Sequence, residues 1–398
     1  MRWTLILVAS AVLAGGCGGG SDLPPLPPGA PDPGVGEPDP RPEPPDVAGC
    51  GDSVLYDNPT DPGEVGPWPV GVRTATVDDG AGDPLTVEVW YPAERGSQVG
   101  VRRALYDLRS WLPPSEAEKI PDDDTAWQIC DCHRDLPLDV ARGPYPVALF
   151  IHGTAGFRTQ SLQFMEHWAS RGFVVVAADY PKLYLGDLLS DLSNFGMATL
   201  PQDTERLLEA LSTPQGELAF LEGHMDLSRL GMAGHSAGGG GISGFGDEAR
   251  VLIPMAAGGT SAGTALESTL VLAAIDDQVV PFESTLEGYE ASPTPKRFLG
   301  IGNAGHLVFS DICSIRNAEG QDILGIAVEH GVMNAEFATV LFDGCGPEQI
   351  DPQEGWDITN HVTAAVLEET LQCRPAAAAD LADVGSAFPL AEDYREGP

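Results

Sequence analysis

Four short runs of almost unbroken apolar residues decide most of what this chain can become. They are PVALFIHG (residues 146–153), FVVVAADYP (173–181), RLGMAGHS (229–236) and TLVLAAIDD (269–277). A strand with one face in water alternates apolar and polar residues, whereas a strand covered on both faces has no polar side to keep. RVLIPMAAGG (250–259) and KRFLGIGNAGH (296–306) continue the series. Between the runs lie helical patterns, SLQFMEHWASRG (161–172), ATLPQDTERLLEALS (198–212) and DITNHVTAAVLEETLQ (357–372). Strand and helix alternate, which predicts an α/β architecture with a mostly parallel central sheet and helices on both of its faces. Upstream, VGVRTATV (70–77) and LTVEVWYP (85–92) alternate strictly around the turn-rich DDGAGDP and read as an antiparallel hairpin at the first edge of the sheet. Residues 93–143 and 182–198 interrupt the alternation; insertions of that length serve as lids or pocket walls, or only decorate a surface.

The ends read differently from the body. MRWTLILVASAVLAGGC carries one charge at Arg2, an apolar run over residues 5–13 and small residues before Cys17. This is an export signal, too short to span a bilayer as a helix. Its ending also resembles a bacterial lipoprotein signal, in which the cysteine is lipidated; ordinary signal cleavage is the alternative. Residues 18–66 begin with a glycine, proline and acid tract that has almost nothing to bury and reads as a solvated tether. The catalytic body is expected over residues 67–375, with a C-terminal tail at 376–398. At 398 residues and 42% hydrophobic content the chain has enough apolar matter for a large core.

Besides Cys17 there are six cysteines, Cys50, Cys130, Cys132, Cys313, Cys345 and Cys373. In an exported chain an even set reads as up to three disulfides, whose pairing the sequence leaves open. CDCH (130–133) offers too few donors for a metal site by itself. With 21 basic against 59 acidic residues, a net charge of −38, nucleic acid is excluded as a partner class. The acidic run at 122–124 reads as a solvated loop, with cation binding as its alternative.

Gly234-His235-Ser236-Ala237-Gly238 follows one buried strand and precedes a small-residue segment. A G-x-S-x-G pentapeptide in that context makes a strained strand-to-helix turn that lifts the serine hydroxyl above the sheet, and bulk two places either side would collide with backbone. A serine attacks only when a base takes its proton and an acid orients the base. Asp277, at the C-terminal end of its strand, is the candidate acid, with Asp276 beside it as the alternative. His306, in the loop GNAGHLVFSDIC, is the candidate base; His330 and His361 lie in helices or at their edges, and His235 is expected to point away and pack. Oxyanion donors are expected from the amide of Ala237, at the helix start, and that of Thr154, after His152-Gly153. The literal G-x-G-x-x-G at Gly239, Gly241 and Gly244 lacks a strand leading into it and a following ribose-binding acid, so no dinucleotide is expected. No lysine lies between Arg229 and Arg250, which excludes a Walker loop. Neither a cofactor nor a catalytic metal is expected.

VEVWYPA, FIHGTAGFRTQS, GHSAGG and GAGHLVFSD together resemble the α/β-hydrolase superfamily, and within it esterases similar to platelet-activating-factor acetylhydrolase and dienelactone hydrolase. The resemblance implies the α/β-hydrolase fold with Ser236 as nucleophile, His306 as base, Asp277 as orienting acid, and Thr154 and Ala237 as oxyanion donors. It further implies a serine ester hydrolase or lipase acting through an acyl-enzyme on a small-molecule or lipid ester. GHSAGGGG is also similar to the elbow of bacterial cutinases and polyester hydrolases, but alanine stands where they carry methionine and RVLIPMAAGG lacks their tryptophan. A peptidase or acyltransferase would use the same triad, and a non-catalytic surface binding protein is the rival of a different class. The expected location is the bacterial cell envelope, with the body lipid-anchored at Cys17, or secreted.

Overall fold

The computed structural model describes residues 25–78, 80, 82–191, 193, 196–335, 339 and 342–397. The expected signal with Cys17, and residues 18–24 of the expected tether, lie outside the described residues. The named strands are β1 (Asp46–Ala48), β2 (Val54–Tyr56), β3 (Val70–Val77), β4 (Leu85–Pro92), β5 (Arg103–Asp107), β6 (Trp127–Arg134) and β7 (Tyr145–Ile151). They continue with β8 (Val174–Asp179), β9 (Met225–His235), β10 (Val251–Met255), β11 (Ser268–Ala274), β12 (Lys296–Ile301) and β13 (Ala391–Gly397). Eleven of them form one sheet in the order β13-β12-β11-β10-β9-β7-β8-β4-β3-β6-β5. The six strands from β8 to β12 in that order run parallel to one another, while β4 and β13 flank them antiparallel.

The unbroken apolar runs have a direct cause in this layering. Successive side chains of a strand point to opposite faces. In β7, Ala148 and Phe150 enter the cluster under helices Leu162–Ser170 and Pro352–Leu371. Val147, Leu149 and Ile151 enter the opposite cluster, under helix Leu200–Ser212. Phe150, Leu149 and Ile151 are wholly buried, each worth roughly 1.5–3 kcal/mol relative to exposure.

The structure departs from the expectations in three places. The hairpin β3–β4 is not the sheet's edge, because β6 pairs parallel with β3 and β5 pairs with β6. Both outer strands come from the 93–143 insertion, whose remainder forms a short 3-10 turn at Leu108–Trp111 and a helical turn at Pro114–Ala117. The expected C-terminal tail closes the other edge as β13, antiparallel to β12. The described part of the expected tether is seated on the body: the wholly buried Arg171 donates to the carbonyls of Pro59, Asp61 and Glu64 and pairs with Glu368. Proline segments have few amides to donate but every carbonyl to offer, so one buried guanidinium can gather three of them.

Disulfides join Cys50 to Cys373, Cys130 to Cys132 and Cys313 to Cys345. The first ties the amino-terminal arm to the end of helix Pro352–Leu371; the second occupies both sulfurs of CDCH. In the acidic run, Asp122 pairs with Arg109 at 2.8 Å and Asp124 with His330 at 3.1 Å.

Candidate active site

Ser236 leaves β9 and opens the helix Ala237–Gly241 with φ 55° and ψ −118°. A positive φ in a residue with a Cβ costs on the order of 1–3 kcal/mol and persists only when the surroundings enforce it. Here the Ser236 amide donates to Met255 O at 2.8 Å, and its carbonyl accepts from the Gly240 amide at 3.0 Å. The glycines supply the room. A Cβ on Gly234 would lie 2.5 Å from the carbonyl carbon of Gly238, one on Gly238 2.2 Å from Ile151 O, and one on Gly239 2.6 Å from Ala257 Cβ. A Cβ on Gly241 would meet Leu200 Cδ2 at 2.5 Å, whereas one on Gly240 or Gly244 would meet nothing within 4 Å. The apparent dinucleotide fingerprint is therefore a packing arrangement around the elbow.

Asp277 and His306 meet at the C-terminal ends of β11 and β12. His306 Nδ1 lies 2.8 Å from Asp277 Oδ2, with both side chains almost wholly buried. The other carboxylate oxygen, Oδ1, accepts the amides of Val279 and Val280 at 2.8 and 2.7 Å. Asp276 is exposed, which separates the two candidates. His330 is held by Asp124 and His361 by Asp61 at 2.9 Å, so neither is at the cleft.

Asp343 escaped the sequence reading. Its Oδ2 accepts the amides of both Gln278 and His306, at 2.9 and 2.8 Å, and its carbonyl accepts that of Leu307 at 2.9 Å. The Cys313–Cys345 disulfide pins the loop that carries it. Its only advance signal was the position of Cys345 two residues on.

His235 does more than pack. Its Nε2–H donates to His306 O at 3.0 Å, and its Nδ1 accepts from Gln160 Nε2 at 2.9 Å. Gln160 Oε1 in turn accepts the Gly153 amide at 3.3 Å, which links the histidine loop to the turn before Thr154. Burial, with the adjoining His306 acting in the same direction, holds the His235 pKa well below the ordinary imidazole range, and burial also lowers that of His152. Both are thus neutral donor–acceptor pairs; His152 donates from Nδ1 to Gly153 O and accepts the Tyr180 amide at Nε2.

The residues converge on one cleft, lined by Thr154, Ser236 and His306 together with Phe157, Leu185 and Phe342. A Cβ on Gly153 would stand 3.2 Å from Ser236 Cβ, so the turn carrying Thr154 presses against the elbow. Ala237, the first helical residue, has an amide with no intrahelical acceptor. The cleft thus holds a hydroxyl and an imidazole bonded to a buried carboxylate, with the amide that opens helix Ala237–Gly241 next to the serine.

The family model described as Chlorophyllase matches residues 137–245 of this chain. A curated relative, chlorophyllase type 0 of Chenopodium album, is 35% identical over 102 residues, which are 24% of this chain and 27% of the relative. The chain thus spans about a quarter of that relative's length. Among solved structures, a ferulic acid esterase from Streptomyces cinnamoneus superposes with a TM-score of 0.53 at 18% identity, covering 77% of this chain and 91% of the other. At that identity the likeness speaks for the fold alone, and the fold is that of α/β-hydrolases, with a mixed, mostly parallel sheet. The matched sequence window contains Thr154, Ser236 and Ala237 but ends before Asp277 and His306.

Proposed function

We propose that this chain is a serine carboxylic-ester hydrolase, with Ser236 as nucleophile, His306 as base, Asp277 as orienting acid, and the amides of Ala237 and Thr154 as oxyanion donors. The observation that carries the reading is the bond from His306 Nδ1 to Asp277 Oδ2, made in the cleft where Ser236 stands at positive φ. With Nδ1–H given to Asp277, the free Nε2 of the neutral ring accepts the Ser236 proton as Oγ attacks the ester carbonyl. The two amides take the developing oxyanion; in such sites one donor is worth roughly a hundredfold or more in kcat. The imidazolium then protonates the leaving alcohol. A water deprotonated by the same nitrogen releases the acid from the acyl-enzyme.

The two similar proteins named above, a chlorophyllase and a ferulic acid esterase, are named as enzymes, and the second as an esterase. That agrees with ester hydrolysis and leaves the closer affinity to platelet-activating-factor acetylhydrolases as part of the proposal. The deciding experiment compares wild type with Ser236→Ala on 4-nitrophenyl acetate and butyrate. A fall in kcat of about ten-thousandfold or more is expected, with stoichiometric labelling of Ser236 by an organophosphonate. Equal rates would sink the enzyme reading, and turnover confined to peptides would sink ester specificity.

The same proposal places the body outside the cytoplasm, held by a lipid on Cys17. It is supported by the signal-like residues 1–17 and by six paired cysteines. Recovery of all mature protein in the soluble fraction, starting after another residue, would refute the anchor.

A further inference from the structure

A second cavity adjoins the cleft. Phe157, Leu185, Ile323 and Phe342 line both. Beyond that shared wall the space, a cavity of about 90 Å³ open to solvent at its mouth, is lined by Leu112, Ile120, Leu189, Ile326, Ala327 and other apolar side chains. Its two polar lining residues are already committed. Arg109 bonds to Asp107, Asp122 and the Ile120 carbonyl, and Thr125 Oγ1 donates to Asp107 at 3.2 Å. Among the described lining residues no polar side chain is left uncommitted, which suits a hydrocarbon occupant.

Besides Phe157, the described lining comes from the 93–143 insertion, the helix Leu185–Ser190, and residues 323–335 with Phe342. They are braced against one another. Trp111 stacks on Phe157 at 4.6 Å and donates to Asp179, at the end of β8. At the far end Glu116 accepts from Lys119 and from the Met333 amide, while Lys119 also donates to the Gly331 carbonyl.

We propose that this cavity receives the aliphatic chain of the substrate ester while its carbonyl lies at Ser236. The proposal rests on the ester-hydrolase reading above and deepens it: the substrate class is an ester with an extended hydrocarbon chain. Recognition is by area removed from water, with no polar contact along the chain.

The test measures kcat/KM for two homologous series on wild type, 4-nitrophenyl alkanoates from acetate to decanoate and alkyl acetates from ethyl to decyl. Each methylene that enters the cavity is expected to raise kcat/KM by about fourfold. A rise in the first series seats the acyl chain there, and a rise in the second seats the chain of the alcohol; either supports the proposal. Ala327→Trp and Leu112→Trp, which add bulk to the cavity from two separate segments, should each lower the ratio of decanoate to acetate kcat/KM by about tenfold or more. The ratio is independent of how much variant folds. Should both variants fail to fold, inhibition of wild-type acetate hydrolysis by alkanols gives the same reading, with decanol expected to bind at least about tenfold tighter than butanol. Ser236-dependent hydrolysis with flat series, or ratios unmoved by both tryptophans, overturns the cavity assignment and leaves the esterase reading standing. Absence of any Ser236-dependent hydrolysis overturns both.

Discussion

Asp343 Oδ2 lies 2.8 Å from the amide nitrogen of His306, and the same oxygen takes the amide of Gln278, the residue after Asp277. One carboxylate therefore sets the spacing between the loops that bring the candidate acid and base together. Asp343 does not line the cleft, so it acts by positioning. Asp343→Ala is expected to lower kcat by roughly ten- to a hundredfold through misplaced geometry, with KM for short esters changed much less. Asp343→Asn keeps an acceptor oxygen and should recover most of the loss. An unchanged kcat in Asp343→Ala would remove the positioning role.

The glycine run after Ser236 makes opposed predictions for neighbouring positions. Gly240 is exposed, and a Cβ there meets nothing within 4 Å. Gly240→Ala should stabilise the protein by about 0.5–1 kcal/mol, since glycine is the poorer helix former. At Gly238 the added Cβ would lie 2.2 Å from Ile151 O. Gly238→Ala should therefore lose activity and soluble yield together. Urea unfolding and turnover of the two variants, measured in parallel, check both statements.

Burial, reinforced by the charge of Arg171, pushes the His167 pKa down to about 3. Its Nε2–H donates to the Pro62 carbonyl at 2.8 Å. The unfolded chain takes up a proton at this histidine below pH ~6.5, whereas the folded chain refuses it until pH ~3. Stability from this group is thus fully present above pH ~6.5 and falls as the pH falls through that window, by on the order of 1 kcal/mol per pH unit. His152 and His235, both lowered, act in the same direction. His167→Gln should flatten the dependence of unfolding free energy on pH between about 4 and 6. Parallel curves for variant and wild type would contradict the assignment.

Cys50 and Cys373 close a loop of 323 residues. Cross-links over long loops restrict the unfolded chain most, and removal of a native bridge typically costs about 2–5 kcal/mol. The double substitution Cys50→Ala with Cys373→Ala should lower stability by that amount and expose the arm before residue 66 to limited proteolysis. The turnover of each folded molecule should be unaltered, because the bridge is at the opposite end of helix Pro352–Leu371 from Gly355, whose added Cβ would meet Val308, two residues after His306. Calorimetry and a protease time course measure the two effects.

The local sequence determined whatever depends on neighbours along the chain. Residues of β7 and β8 are apolar on both sides because both faces are covered, and that pattern is visible one strand at a time. The elbow is legible for the same reason, since Gly234, Ser236 and Gly238 meet the steric demands of one turn. Asp277 and His306 stood out as candidates because each closely follows the C-terminal end of a parallel strand, and such ends face one side. Tertiary structure alone decided which of two adjacent aspartates turns inward, that His235 grips the carbonyl of His306, and that Asp343 bridges two loops from 37 residues beyond His306. It also decided that segments distant in sequence line one apolar cavity beside the cleft. Those contacts join positions far apart in the chain, where a single polar side chain has no period to betray it. Their energy comes from excluding water and pairing amides at a junction that exists only after the sheet has formed.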